Sequence, residues 1–268
     1  MSTLPPLSLL ALNVKNLFDD GRFKEALEWL PISEHAHVNR FRFDADKHRA
    51  LGSLLLRRYF FSKFLGVPWK ELCFDRRPGS KPTLKIGNDT WVDYNTSHEG
   101  EWVVFVATSR PGLVVGIDCV RIDIPLHTDI PQFLRSFQSQ LSTEEIEWIF
   151  YTNEENNMLK RFYELWGCKE SYVKAIGVGL QRDLDTLSFK NKTEKEAWIV
   201  MQEDNWGYHL SDLDNDTIVV VCSGYPDKRP LDHDILAFCA TTRPLGATYH
   251  QQAPFELVRW EALSNYLH

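Results

Sequence analysis

The chain presents the same order of local signals twice, and this constrains its fold more than any other feature. "LSLLALNV" reads as a strand. "GRFKEALEWL" carries Phe23, Ala26, Leu27 and Leu30 at helical spacing and is stopped by Pro31. "DADKHRALGSLLLRRYFFSKFLG" predicts a long helix, with Asp44 or Asp46 as its cap and Gly66 and Pro68 closing it. The strands "WVDYNTS" and "EWVVFVATS" follow, split by the turn "HEG". Beyond a seam at Pro111-Gly112 the order recurs. "LVVGIDCV" is a strand, Ser142 and Glu145 form a capping box, and a long helix runs from near Glu154 to Gly177. "AWIVMQE", "WGYHLSD", "DTIVVVCSG" and "ILAFCATT" then read as strands, and "FELVRWEALSNYLH" as a strand entering a short helix. This order predicts an α+β chain in two halves, residues 1–112 and 113–268, each an antiparallel sheet with a long helix.

Its 268 residues, 43% apolar and 25% charged, suffice for one large core or two smaller ones. A net charge of -7 argues against a nucleic-acid coat. Yet residues 40–85 hold 12 Lys and Arg against 4 Asp and Glu, leaving 18 and 33 elsewhere. A basic block in an acidic chain reads as a local anion site or as a helix with a solvated basic face. The five cysteines are odd in number and form no CxxC, which argues against a disulfide framework or a zinc site and for a reducing compartment. "LPPLSLLAL" has no basic residue before it and acids soon after, so it reads as a buried strand and not as a signal peptide or membrane span. The expected location is the cytosol.

Chemistry concentrates in "FYELWGCKESYVKAIGVGL", residues 162–180. Glu170 and Lys174 share one helical face, which extends back through Gly167 and Tyr163. Phe162, Trp166, Val173 and Ile176 form the adjoining core stripe, interrupted by Lys169. Gly167 costs the helix about 1 kcal/mol against Ala and permits close approach. Alone, Glu170 and Lys174 make an ordinary surface pair worth ~0.3–0.5 kcal/mol. "LVVGIDCV" adds Asp118 beside Gly116, expected where the strand leaves the core; a carboxylate there suits metal ligation or a turn cap. "NTSHEG" offers Ser97 and His98, which suit a phosphate or a polar hairpin turn. "RRPGSKP" reads as a phosphate loop or an ordinary surface loop. Together they equip the chain for Mg²⁺-dependent transfer from a phosphate-rich donor. P-loop, dinucleotide, HExxH and G-x-S-x-G motifs are missing from the sequence.

"GID" at 116–118 and "WGCKESYVKAIGVGL" at 166–180 resemble the two signature motifs of 4′-phosphopantetheinyl transferases. "GSKP", "NTSH" and "DKHRALGSLLLRR" resemble upstream motifs of the larger, two-halved branch, nearest to the eukaryotic enzymes acting on aminoadipate reductase or aminoadipate-semialdehyde dehydrogenase. The resemblance implies two pseudo-symmetric α+β halves with coenzyme A in the cleft between them. It implies transfer of the phosphopantetheine arm to a serine of an apo carrier protein (acyl, peptidyl or aminoadipyl), with release of adenosine 3′,5′-bisphosphate. Arg76, Arg77, Pro78, Gly79, Ser80 and Lys81 would then hold the 3′-phosphate and its surroundings. Asn95, Thr96, Ser97 and His98 would line the same site. Asp118 and Glu170 would hold Mg²⁺ or Mn²⁺, Ser171 and Lys174 would complete the site with Lys174 on phosphate, and Lys169 belongs to the motif. Glu170, or a water it orients, is the candidate base.

Two departures stand out. Relatives often carry a further acid where Val120 stands, and a water is expected to fill that place. His37 falls where relatives have Lys or Arg, so the contact is assigned to nearby Arg40. Phe133, Leu134 and Phe137 have the spacing of a helix that packs on the core or docks the carrier. The chain is expected to act as a monomer without membrane or nucleic-acid partners. Lysine biosynthesis is among its possible settings. The second reading is a non-catalytic coenzyme A or carrier-binding protein of the same fold.

Overall fold

The structure is a computed structural model that describes residues 5–76, 82–86, 90–177, 183–191, 199–201 and 206–266. The first part runs β1 (Leu7–Asn13), α1 (Arg22–Glu28), α2 (Ile32–Asn39), α3 (Asp44–Leu65), β2 (Phe74–Arg76), β3 (Pro82–Ile86), β4 (Thr90–Glu99) and β5 (Trp102–Thr108). The second runs β6 (Val114–Arg121), α4 (Ile130–Arg135), α5 (Thr143–Phe150), α6 (Glu155–Ile176), β7 (Phe189–Asn191), β8 (Ile199–Met201), β9 (Trp206–Asp212) and β10 (Thr217–Gly224). α7 (His233–Cys239), β11 (Glu256–Leu257) and α8 (Trp260–Ser264) end it.

The repeated order becomes repeated topology. β1-β5-β4 and β6-β10-β9 are both antiparallel trios in which the first strand pairs with the last. Each trio carries a helix of 22 residues, α3 or α6. Alternation along the strands builds the layers. Leu10, Leu12, Val103 and Phe105 face the core shared with α3. Ala11, Val104 and Val106 point the other way, onto Val115, Ile117, Val219 and Val221 of the second sheet. The far side of that sheet, with Val220 and Cys222, meets Leu165, Cys168 and Tyr172 of α6. The stack is therefore helix, sheet, sheet, helix.

Both long helices end on a left-handed glycine, Gly66 at φ 64° and Gly177 at φ 74°, as their sequences predict. The capping box at Ser142 and Glu145 is present. Three local expectations are corrected. α3 starts on Phe43 without a side-chain cap; Asp44 and Asp46 sit in the first turn, paired with Lys47 and Arg49. Much of "ILAFCATT" is the end of α7 and not a strand, because Ile235 and Cys239, four apart, are its buried positions. A short apolar run cannot distinguish the two states by itself. Asp118 lies inside β6, three residues before its end, and not where the strand leaves the core.

The tail does not stay with the second part. Arg243, fully buried, bonds Glu164 of α6 at 2.6 Å and Asp212 of β9 at 3.1 Å. The chain then crosses over. β11 joins β1 in parallel, and Trp260 of α8 lies 4.7 Å from the Trp29 ring.

Candidate active site

Strand β6 is the edge of its sheet, so alternate N–H groups face away from β10 and need partners. Side chains of β4 supply them. Asp93 accepts from the Val115 N–H at 2.8 Å, Asn95 from Ile117 at 3.2 Å, and Ser97 from Cys119 at 3.2 Å. This ladder of acceptors joins the two sheets and ends at the site. Gly116 brings the opposite wall in. A Cβ there would stand 1.9 Å from the Ser171 carbonyl oxygen and 2.5 Å from the Ala175 nitrogen, so α6 lies directly on β6.

That close approach brings Asp118 and Lys174 together. Lys174 Nζ is 2.6 Å from Asp118 Oδ1 and donates to Ser97 Oγ at 2.9 Å. Ser97 in turn donates to Asp118 Oδ1 at 3.2 Å. Burial still holds the Asp118 carboxyl above its usual range, outweighing Lys174, Ser97 and the Cys119 N–H. Glu170, one turn before Lys174, is raised by burial and then by the Asp118 charge, against Lys174. His98 is pushed down by desolvation and by the cations of Arg49 and Lys174.

Two adjoining chambers meet here. The larger, about 550 Å³, is lined by Glu34, His37, Arg40, Ser53, Arg57, Tyr94 and Thr96 among others. The smaller, about 410 Å³, is lined by Glu99, Asp118, Asp123, Tyr163, Trp166 and Glu170 among others. Ser97, His98 and Lys174 line both. The first chamber is cationic and the second largely acidic. Arg57 is held by Glu34 and lies 4.2 Å over the Phe74 ring. Glu34 also clasps buried Arg58 at 2.9 and 3.0 Å. Burial works to raise the Glu34 carboxyl, but hydrogen bonds and charges from the two arginines outweigh it and hold it low.

Of the residues singled out in the sequence, Arg40, Thr96, Ser97, His98, Asp118, Glu170 and Lys174 line the chambers. Asn95 spends its amide oxygen on the β6 ladder, and Ser171 is fully buried with its hydroxyl on the Cys168 carbonyl; neither lines a chamber. Arg77, Pro78, Gly79, Ser80 and Lys81 lie outside the described residues, as does the Arg76 side chain. Gly167 does not face the cleft: a Cβ there would meet Val220 of β10 at 2.8 Å. Trp166 is half-buried and lines the smaller chamber while its ring touches Phe137 and Phe162. Phe133 and Phe137 pack on Phe162, and α4 ends at Arg135, before Phe137.

Sequence reasoning missed Ser53 and Arg57 as individual lining residues. Their four-residue spacing in a basic helix was the available signal. It also missed the partner of Lys169. That lysine is fully buried, 2.7 Å from Glu145, and donates to the carbonyls of Leu184, at 2.8 Å, and of Leu187. The Glu145 of the capping box thus also neutralises the charge that interrupts the α6 core stripe.

Residues 19–110 match the family described as 4′-phosphopantetheinyl transferase, N-terminal, and residues 114–222 match the 4′-phosphopantetheinyl transferase superfamily. The chain is 31% identical over 218 residues to the L-aminoadipate-semialdehyde dehydrogenase-phosphopantetheinyl transferase of Rattus norvegicus, covering 75% of this chain and 69% of that protein. The Homo sapiens protein of the same name is 30% identical over 216 residues, with the same two coverages. A Phosphopantetheinyl transferase of Thraustochytrium sp. is 30% identical over 203 residues, covering 72% of this chain and 69% of that protein. With Asp118, Glu170 and Lys174 gathered on one cleft wall and both matched segments contributing to that cleft, the chain belongs to the 4′-phosphopantetheinyl transferase superfamily and is an enzyme of that type.

Proposed function

We propose that the chain transfers the phosphopantetheine arm of coenzyme A to the serine hydroxyl of an apo carrier domain in a Mg²⁺-dependent reaction. One observation carries this reading: an acid-lined chamber with Asp118, Glu170 and Lys174 adjoins a chamber lined by Arg40 and Arg57, and Ser97, His98 and Lys174 line both. The larger chamber suits the anionic nucleotide end of the donor, and the smaller suits its pyrophosphate and the incoming serine.

The residues fit a divalent cation. Asp118 and Glu170 face one chamber, both raised by burial, and Asp118 also raises Glu170. Two hard carboxylates with room for water and phosphate oxygens are what Mg²⁺ takes, and Mn²⁺ is compatible. Val120 also lines this chamber, and a water is proposed to take the coordination place beside it. When bound, the ion would neutralise charge on the pyrophosphate.

The chain's own groups supply the rest. Lys174 holds a phosphate oxygen, and His98 lines the same wall. The carboxylate of Glu170 takes the serine proton. The serine oxygen forms a bond to the phosphorus that bears the pantetheine arm. The bond from that phosphorus to the bridging oxygen breaks, and adenosine 3′,5′-bisphosphate leaves with the electron pair. The functional halves are read as residues 1–112 and 113–268, one wall from each, with the tail from β11 onward returned to the first. No described helix is long and apolar enough to cross a membrane. The working state is read as a cytoplasmic monomer. The relatives' name supports a carrier domain of an aminoadipate-processing enzyme as one acceptor, with lysine biosynthesis as a proposed setting.

The test is mass spectrometry of several apo carriers incubated with the protein, coenzyme A and Mg²⁺. A gain of the phosphopantetheine mass on a serine is expected, and no gain on any carrier overturns the reading. Full turnover by Glu170→Gln would remove Glu170 as the base.

A further inference from the structure

The hydroxyl of Ser97 has one proton to donate and two lone pairs to offer. All three are used. The proton goes to Asp118 Oδ1 at 3.2 Å, one lone pair takes the Cys119 N–H at 3.2 Å, and the other takes Lys174 Nζ at 2.9 Å. The residue is only 6% exposed, at the end of the β4 ladder that closes the edge of β6. Nothing remains on this oxygen with which to bind a phosphate, although Ser97 lines both chambers.

We infer that Ser97 is a positioning residue and not a substrate contact: it is the strut through which the first half of the chain sets the relative placement of Asp118 and Lys174. Those two groups come from different elements, β6 and α6, and the strut comes from a third, β4. Lys174 has several rotatable bonds, and its other partner among the described residues is Asp118. A fixed acceptor at Ser97 defines one geometry for the ammonium. A fixed donor on Asp118 Oδ1 defines the orientation of the carboxylate. Partners that orient a catalytic carboxylate in this way are typically worth about 10–100-fold in activity. The inference rests on the roles given above to Asp118 and Lys174.

Ser97→Ala is expected to lower kcat about 10–100-fold, while coenzyme A binding measured by calorimetry without carrier changes less than about threefold. Thr and Val have nearly the same shape and differ by a hydroxyl, so Ser97→Thr and Ser97→Val separate packing from hydrogen bonding even if the alanine variant folds poorly. Ser97→Thr is expected to keep most of kcat and Ser97→Val to lose it. Asp93→Ala removes another rung of the same ladder, away from the site, and should lower the unfolding midpoint while leaving kcat within about twofold. Three results would each overturn the inference: a coenzyme A affinity that falls tenfold or more with kcat intact, equal kcat for the Thr and Val variants, or an Asp93→Ala loss of kcat as large as that of Ser97→Ala. A wild-type protein that loads no carrier would instead overturn the transferase reading, while calorimetry would still report whether Ser97 touches the donor.

Discussion

Helix α6 carries two lysines, five positions apart, that each pair with a carboxylate and do different work. Lys169 meets Glu145 at 2.7 Å with both side chains 0% exposed. Lys174 meets Asp118 at 2.6 Å, and its side chain is 29% exposed at the junction of two chambers. The distances hardly differ, so pair geometry does not separate structure from chemistry. What separates them is saturation and access. The Lys169 ammonium has three acceptors (Glu145 and two carbonyls), as many as it has protons, and nothing can reach it. Lys174 has Asp118 and Ser97 and opens onto space large enough for a ligand. A sealed ion pair specifies a core, and an open one is available for binding.

Substitutions test this difference directly. Lys169→Met keeps the bulk but leaves Glu145 buried without a cation, so the largest loss of stability is expected here, about 3–5 kcal/mol in urea unfolding. Residual turnover at a temperature where both proteins fold should stay closer to wild type than for Lys174→Met. An unchanged midpoint would show that the buried pair is dispensable. Lys174→Met should cost turnover about 10²–10³-fold but less stability than Lys169→Met, because Asp118, though buried, keeps the Ser97 hydroxyl and lines a chamber. A stability loss equal to that of Lys169→Met would erase the distinction.

His209 extends the comparison to a buried group with only one side satisfied. Its Nδ1 lies 3.3 Å from the Phe238 carbonyl, while Nε2 is buried without a partner among the described residues. Burial pushes its pKa down from 6.5 to about 4, with the Phe238 carbonyl opposing. The folded state therefore disfavours the proton, and between these two values the unfolded chain binds more protons. Stability is full above pH 6.5 and falls as pH drops towards 4, by roughly 3 kcal/mol at most from this residue. His209→Gln should flatten that slope in unfolding measured across the window. A slope identical to that of wild type would mean that the histidine does not report burial. The smallest effect belongs to the surface. Lys47→Ala removes a pair with Asp44, which is 80% exposed, and should leave the unfolding midpoint indistinguishable from that of wild type. A measurable shift would mean that pair geometry matters more than access.

Much of the site was legible in the sequence because its chemistry lies in short, ordered motifs. Glu170 and Lys174 share a helix face, and Gly116 stands two residues before Asp118, where the structure packs Ser171 and Ala175 against it. Less legible was which way each charge would turn. Lys169 and Lys174 stand in the same run of sequence, and only the arrival of Glu145 on one side and Asp118 on the other gives them separate roles. Asn95 and Ser97 read alike, as polar residues near the end of one strand, but one serves the seam alone and the other serves the seam and the site.

Local sequence sets the repeated order of strands and long helices, the glycine stops at Gly66 and Gly177, and the identity of the chemical groups. These follow from local periodicity and backbone preference, which neighbouring residues decide. The tertiary structure alone decided that β4 side chains would close the edge of β6, that Ser97 would reach Lys174 across 77 positions, and that β11 would return to β1. The physical reason is that a buried N–H or charge must be satisfied by whatever the packing brings to it. For β6 and α6 those partners come from β4, distant in the chain.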